Sequence, residues 1–273
     1  MTKLVFEKVI TKTALDQESI SSLLNDKIIA IRIPQYSSPD ICEQIAKGLF
    51  KYTTKFECYH HELKNGEDIE YVDYGVDRFG VSFNTTYNGD KEHREKYYLN
   101  AIENIRLIRS ILPNQLSPFD RFRLEIDEIW LFGVGLANFE GRKMFAGVPR
   151  IMTRPDKTER IAVQPHIDYL PCKYGQLLAQ FAVNIYMQVP QNGGELELWD
   201  IPALNETQVA NLKNIKDWRK ILPTSTLIKP TVGELIIFNS RRPHAVHQFT
   251  KGARISLQSF IGLTQSKQLL LWS

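Results

Sequence analysis

From Gly147 onward the chain alternates short apolar, β-branched runs with clusters of turn residues, a pattern that predicts strands rather than helices. The eight candidate strands are residues 149–153, 160–164, 178–189, 195–200, 224–228, 234–238, 245–249 and 254–261. Gln191-Asn192-Gly193-Gly194 and Thr231-Val232-Gly233 are expected as tight turns, and residues 206–221 as a helix inserted into the series. Eight short strands punctuated in this way fit a double-sheet jelly roll.

The first half is patterned differently. Residues 27–33 form a β-branched run that stops at Pro34 and is expected to be a buried strand. Ser38-Pro39 opens a helix, because serine accepts from otherwise unpaired amides and proline tolerates the first helical position. Ile41, Ile45 and Leu49 give that helix one apolar stripe. Tyr98, Ala101, Ile102, Ile105, Ile108 and Leu112 mark a second helix over 91–112. Phe119, Phe122, Ile126 and Ile129 mark a third after Ser117-Pro118. Such helices are expected to brace the back of a sheet.

Residues 56–90 keep no sustained period. Their aromatics and glycines (Tyr71, Tyr74, Gly75, Phe79, Gly80, Phe83, Tyr87 and Gly89) suit short strands and loops that cover a pocket. The expected fold class is therefore α+β, a double-stranded β-helix (jelly roll) core with supporting N-terminal helices. One domain spans residues 1–273, with helical support and a lid over 1–146, the strand core over 147–263 and a tail over 264–273.

Composition narrows the function classes. A chain of 273 residues with 43% hydrophobic and 24% charged content is ordinary for a globular protein. A net charge of +3 with no basic stripe is too slight to imply nucleic acid. No apolar stretch approaches the roughly 20 residues of a membrane span. Cys42, Cys58 and Cys172 are odd in number and lack metal-like spacing, and the first residues lack the apolar run of a signal peptide, so a reduced, cytoplasmic setting is expected. His60 and His61 are adjacent, cannot both face one metal from a strand, and are read as surface residues. Arg78 has two readings, solvated surface or contact with an anionic group of a substrate. It is carried with Phe83 as a candidate substrate contact.

The chemistry concentrates in Gln164-Pro165-His166-Ile167-Asp168-Tyr169 and Pro243-His244-Ala245-Val246. On an extended segment His166 and Asp168 share one face, since strand side chains alternate with period two. A further histidine would complete a set of two imidazoles and one carboxylate, the arrangement that leaves positions open in non-haem Fe(II) oxygenases. His244 and His247 compete for that place; on a strand they point to opposite faces, so one alone can reach the metal. Arg254 lies in an apolar strand with Ile255, Leu257 and Phe260, and a buried arginine needs a partner.

The order of these residues resembles the Fe(II)/2-oxoglutarate-dependent oxygenases. His244 follows Asp168 by 76 residues, Arg254 follows His244 by ten, and Ser256 stands two further on. The resemblance covers roughly residues 147–263. It implies that His166, Asp168 and His244 bind Fe(II), the ten-residue spacing favouring His244 over His247. It implies that Arg254 and Ser256 hold the distal carboxylate of 2-oxoglutarate. Asn184 and Tyr186 lie on a strand expected to line the same cavity, where they either hydrogen-bond the cosubstrate or make ordinary cross-strand bonds. O2 would be the other co-reactant, with succinate and CO2 released and an unactivated C–H bond hydroxylated. Gly193-Gly194-Glu195-Leu196 and the ending Leu270-Leu271-Trp272-Ser273 look most similar to small-molecule alkaloid and amino-acid hydroxylases and halogenases. Halogenases replace the carboxylate ligand with a small residue, and Asp168 argues against that chemistry. Nucleic-acid demethylases carry a second arginine six residues after the first, where this chain has Phe260. A small-molecule substrate is thus expected. Peptide hydroxylation, and desaturation or cyclisation at the same centre, are the alternatives; a non-enzymatic binding module would have no use for this residue set.

Overall fold

The computed structural model describes residues 8–52, 59–64, 67–72, 77–78, 82–83, 91–153, 164–171, 174–205, 207–208, 215 and 218–273. In chain order the first half contains β1 (Val9–Thr11), α1 (Gln17–Leu24), β2 (Ala30–Ile33), α2 (Pro39–Tyr52), β3 (Tyr59–Lys64), β4 (Glu67–Val72) and β5 (Asp77–Arg78). Then come α3 (Lys91–Ile111), α4 (Pro118–Ile129), β6 (Val134–Leu136), β7 (Asn138–Phe139), β8 (Arg142–Lys143) and β9 (Val148–Met152). The second half adds β10 (Ala179–Gln188), β11 (Leu196–Leu198), β12 (Thr226–Ile228), β13 (Leu235–Asn239), β14 (His244–Val246), β15 (Arg254–Leu263) and β16 (Leu269–Trp272). Among the described residues no helix is long and apolar enough to cross a membrane.

The largest sheet runs β1-β2-β13-β10-β15-β16-β6, with β9 paired to β15 and β5 to β9. A smaller sheet runs β12-β11-β14. Side-chain alternation in β10 and β15 separates two cores. Phe181, Val183 and Ile185 of β10, with Ile255, Leu257 and Ile261 of β15, join Ile45 and Leu49 of α2 and Phe119, Phe122 and Ile126 of α4 in a cluster behind the sheet. The opposite face sends Ala182, Tyr186, Ile236, Phe238 and Phe260 into a second cluster with Leu196, Leu198 and Ile228 of the small sheet. The two sheets thus share one apolar layer, in a mixed fold of helices around a strand-rich core.

Local chemistry explains the element ends. At the start of α4 the Ser117 hydroxyl accepts the Asp120 N–H at 3.0 Å, with Pro118 next. The expected turn at residues 191–194 requires its glycines: Gly193 has φ +74°, and a Cβ there would meet the Gln248 carbonyl oxygen at 2.1 Å.

The structure corrects the pattern in places. Ile102, expected on the buried stripe of α3, is 59% exposed, while its neighbour Tyr97 is buried. The helix serves two cores, Tyr97 and Ala101 in the inner cluster and Ile108 in the outer, and no single stripe satisfies both. Residues 264–273, read as a tail, contain β16, which pairs antiparallel with β15 and parallel with β6. The expected strand at 160–164 lies outside the described residues except for Gln164. Most of the expected helix at 206–221 does so too; its described end is a 3-10 turn, Trp218–Lys220.

Candidate metal and cosubstrate site

The inner cluster ends where two distant segments meet. The His166 N–H donates to the His244 carbonyl at 3.0 Å and the His244 N–H to the His166 carbonyl at 2.9 Å, an isolated antiparallel bridge. The Asp168 N–H donates to the Ser240 carbonyl at 2.9 Å. Backbone pairing thus brings the His166-x-Asp168 segment against β14. The ligating atoms of His166, Asp168 and His244 all lie within 4.8 Å of one another.

Each imidazole is oriented by a backbone carbonyl two residues earlier. His166 Nδ1 lies 2.8 Å from the Gln164 oxygen and His244 Nδ1 lies 3.0 Å from the Arg242 oxygen. A carbonyl can only accept, which assigns a proton to each Nδ1 and leaves each Nε2 lone pair for another partner. His244 Nε2 lies 3.4 Å from Asp168 Oδ2, two atoms that require a shared proton or a cation between them. Burial, and then the neighbouring His244, push the His166 imidazole down to about 4, so it stays neutral at ordinary pH. Burial alone would raise Asp168, but contact with His244 and the charges of His166, His244 and Arg150 hold it well below the usual carboxylate range. Two imidazole nitrogens and one carboxylate oxygen suit divalent iron with positions left over.

Residues without a sequence signature support this trio. Gln180 on β10 accepts the Leu170 N–H at 2.7 Å and donates to the Asp168 carbonyl at 3.1 Å and to Ser240 Oγ at 3.2 Å. Ser240 Oγ also donates to the Asp168 carbonyl, at 3.1 Å. Arg242, whose carbonyl orients His244, is buried and donates to Asp200 Oδ1 and Asp26 Oδ1, each at 2.8 Å. The one hint in the sequence is Gln180 itself, a polar residue inside an apolar strand.

Further along the same sheet face, the register pairs Tyr186 with Ser256 and Asn184 with Gln258. Arg254 is 5% exposed, yet no carboxylate partners it among the described residues. Its Nη2 donates to the Tyr186 hydroxyl at 3.0 Å, its guanidinium lies 4.9 Å from the Tyr186 ring centre, and its Nε has no hydrogen-bond partner. Burial pushes the Tyr186 phenol up, keeping it protonated. Ser256 Oγ donates to Asn184 Oδ1 at 3.4 Å. A buried guanidinium lacking an anion fits the distal carboxylate of a dicarboxylic acid.

Other expectations resolve as follows. His247 stands apart from the trio, with its side chain 54% exposed and Nδ1 3.3 Å from Glu195 Oε2. Beyond these expectations, Trp199 is buried, with the Arg219 guanidinium 5.9 Å from its ring centre. Phe83, a candidate substrate contact, is buried among Tyr97, Tyr98, Phe139 and Tyr174, ring centres 4.8–6.5 Å apart in that group. Arg78 occupies β5, in register with Arg150 of β9, and its side chain lies outside the described residues, as do those of His60 and His61.

Residues 157–262 match the 2OG-Fe(II) oxygenase superfamily. Over 105 residues the chain is 28% identical to L-gamma-glutamyl-L-propargylglycine hydroxylase from Streptantibioticus cattleyicolor, a match spanning 36% of this chain and 37% of that protein. An N-substituted L-amino acid dioxygenase from Burkholderia ambifaria AMMD, solved in complex with alpha-KG, superposes with a TM-score of 0.61 at 13% identity, covering 94% of this chain and 90% of that one. A second structure of an N-substituted L-amino acid dioxygenase from Burkholderia ambifaria AMMD gives a TM-score of 0.60 at 12% identity, over 94% of this chain and 91% of that one. At such identity the likeness is one of fold, and it bears out the mixed class with a strand-rich core.

Proposed function

From the match of residues 157–262 to the 2OG-Fe(II) oxygenase superfamily, we propose that this chain is an Fe(II)- and 2-oxoglutarate-dependent dioxygenase that hydroxylates an unactivated C–H bond of a small-molecule metabolite. The substrate is a free amino acid or a natural-product alkaloid, and succinate and CO2 are released. The observation that carries this reading is Arg254, a buried guanidinium without an acidic partner among the described residues, on the sheet face that also bears Gln180, the support of the His166, Asp168 and His244 cluster.

Bound iron, with 2-oxoglutarate and dioxygen as co-reactants, supplies the oxidising chemistry. His166 and His244 offer Nε2 lone pairs, each ring held by its Nδ1 contact to a carbonyl. Asp168 contributes the one negative charge, and Gln180 and Ser240 fix the backbone from which it projects. Arg254 takes the distal carboxylate of 2-oxoglutarate with its planar fork, which the Tyr186 hydroxyl orients. Ser256 and Asn184 present further polar atoms to the same carboxylate, while the Phe238 ring packs against His244 with ring centres 5.0 Å apart. A small-molecule substrate agrees with the hydroxylase of an amino-acid derivative that this chain matches in part.

Anaerobic titration of the purified, metal-free chain with Fe(II) and 2-oxoglutarate should develop the visible charge-transfer band of the chelate. No band under those conditions would remove the reading. Arg254→Lys should keep iron affinity and weaken 2-oxoglutarate binding about ten- to hundredfold, the worth of one charge-assisted hydrogen bond of about 1.5–3 kcal/mol. An unchanged 2-oxoglutarate titration would take Arg254 out of the site.

A further inference from the structure

The inner face of the large sheet carries a hydrogen-bond donor that the cosubstrate does not account for. Gln258 shares that face of β15 with Arg254, Ser256 and Phe260, because side chains alternate along a strand. It stands opposite Asn184 of β10 on one side and Val148 of β9 on the other. Just beyond it β15 changes neighbour from β9 to β16, with Trp272 opposite Phe260. The Ser273 hydroxyl closes that seam, accepting from the Gly147 N–H and donating to the Gln258 carbonyl, each at 2.8 Å. The backbone that aims the Gln258 side chain is thereby pinned.

One end of the Gln258 carboxamide is already taken. Arg150 Nη1 donates to Oε1 at 2.9 Å. A guanidinium only donates, so the atom beside it must be the oxygen, and the amide nitrogen is turned away. Gln258 is 7% exposed, yet Nε2, with two N–H groups, donates to no group among the described residues. Packing seals off several unpaired atoms on this face, Arg254 Nε and Trp272 Nε1 among them, but Nε2 is not one. A side chain this enclosed, with a donor both unpaired and unsealed, opens on an interior space, and a donor so placed requires an acceptor. The bond from Arg150 also polarises the carboxamide, which strengthens its N–H groups as donors.

On the oxygenase reading, on which this inference rests, the cosubstrate has its donors elsewhere: Arg254, Ser256 and Asn184 face its distal carboxylate, and its other oxygens belong to the metal. We propose that Gln258 holds an acyl oxygen of the substrate, from a carboxylate or an amide carbonyl, and so selects amino-acid-like substrates over simple amines. An ammonium group can only donate and finds no partner at Nε2. Gln258 is thus a specificity residue, distinct in task from Arg254.

The test uses the full chain loaded with Zn(II) and 2-oxoglutarate, which binds without turnover, and reads binding by calorimetry. The probes are free, N-acetylated and γ-glutamyl L-amino acids, their α-carboxamides, and the corresponding simple amines, which carry no acyl oxygen. The best acyl probe should bind about tenfold or more tightly than its amine. An acid that outranks its carboxamide identifies a carboxylate at Nε2, and equal binding of the two identifies a carbonyl; either supports the assignment. Gln258→Glu keeps a partner for Arg150 but turns an acceptor toward the ligand, so it should erase the preference for acyl probes. Gln258→Met, which only removes the donor, should weaken the best acyl probe about threefold or more. In both variants the Kd for 2-oxoglutarate should move by less than about threefold. Amines that bind as well as acyl probes, no binding by any acyl probe, or acyl binding unchanged in Gln258→Glu would each overturn the assignment. So would a loss of 2-oxoglutarate affinity in the variants as large as the loss of acyl affinity, which would place Gln258 on the cosubstrate. The wild-type comparison needs no variant, so a poorly folding substitution does not shelter the idea. Wild-type protein that takes up no 2-oxoglutarate, a separate titration, would sink the oxygenase reading itself, whereas a missing acyl preference alone leaves that reading standing.

Discussion

His244 and His247 are the same residue type three positions apart, and their neighbours decide between them. A backbone carbonyl 3.0 Å from Nδ1 turns the His244 Nε2 toward Asp168, whereas His247 spends its Nδ1 on Glu195 at the solvent edge. His244→Ala should therefore abolish tight Co(II) or Fe(II) binding, and His247→Ala should leave the metal titration unchanged; the reverse result would exchange their roles. On the proposed reading Asp168 would set the reaction outcome, because a carboxylate on the metal would occupy the place an external halide needs. Asp168→Gly, assayed by product mass in high chloride, should lose most hydroxylation and show at best a trace of chlorination. Efficient chlorination by the wild-type chain would remove Asp168 from the ligand set. At this scale the sequence was legible wherever the chemistry imposed a short spacing, as in His166-x-Asp168 and Arg254-x-Ser256. It was silent on Gln180, Ser240 and Arg242, whose partners are remote in the chain and meet them only after the sheets have formed.

Elements were legible in proportion to how simply they are buried. α2 and α4 lay one stripe each on the outer face of the large sheet, and their periodicity read correctly. α3 touches both cores, which is why Ile102 was misplaced. The joint between α3 and α4 shows what secures this layer. Arg109 donates to both oxygens of Asp120, at 2.6 and 3.0 Å, and the Ser117 hydroxyl donates to Oδ2 at 2.9 Å. Burial raises the Asp120 carboxyl, but these donors outweigh it and hold the group below its ordinary value. A carboxyl so depressed adds stability that is complete above its unfolded value, about 3.9, and fades as pH falls through the lower folded value. Asp120→Asn should lower unfolding stability by about 1 kcal/mol near neutral pH, as for a favourable partly exposed ion pair. That gap should begin to close below about pH 4 and vanish only below the depressed folded value, where wild type and variant carry the same charge. Thermal melts across pH check this; a gap that persists unchanged in acid would assign the loss to packing.

For the whole molecule, the two-sheet plan was read from strand spacing, but the strands that complete the large sheet were not. β16 and β6 are short and their apolar runs carry no alternation, so nothing local marks them. Yet Trp272 is wholly buried, its ring centre 5.6 Å from that of Phe260, and the Ser273 hydroxyl accepts from the Gly147 N–H at 2.8 Å and donates to the Gln258 carbonyl at 2.8 Å. Trp272→Ala should cost about 3–5 kcal/mol in a denaturant titration, the usual penalty for emptying a large aromatic site. A loss under about 1 kcal/mol would mean that this strand is dispensable to the core. The reciprocal backbone bonds between His166 and His244 tie two of the three candidate ligands to each other through the main chain, so a disturbance of either segment would move both imidazoles together. An ion that binds the folded chain would add thermal stability by mass action, about 2.7 kcal/mol when the free ion stands at a hundred times its Kd.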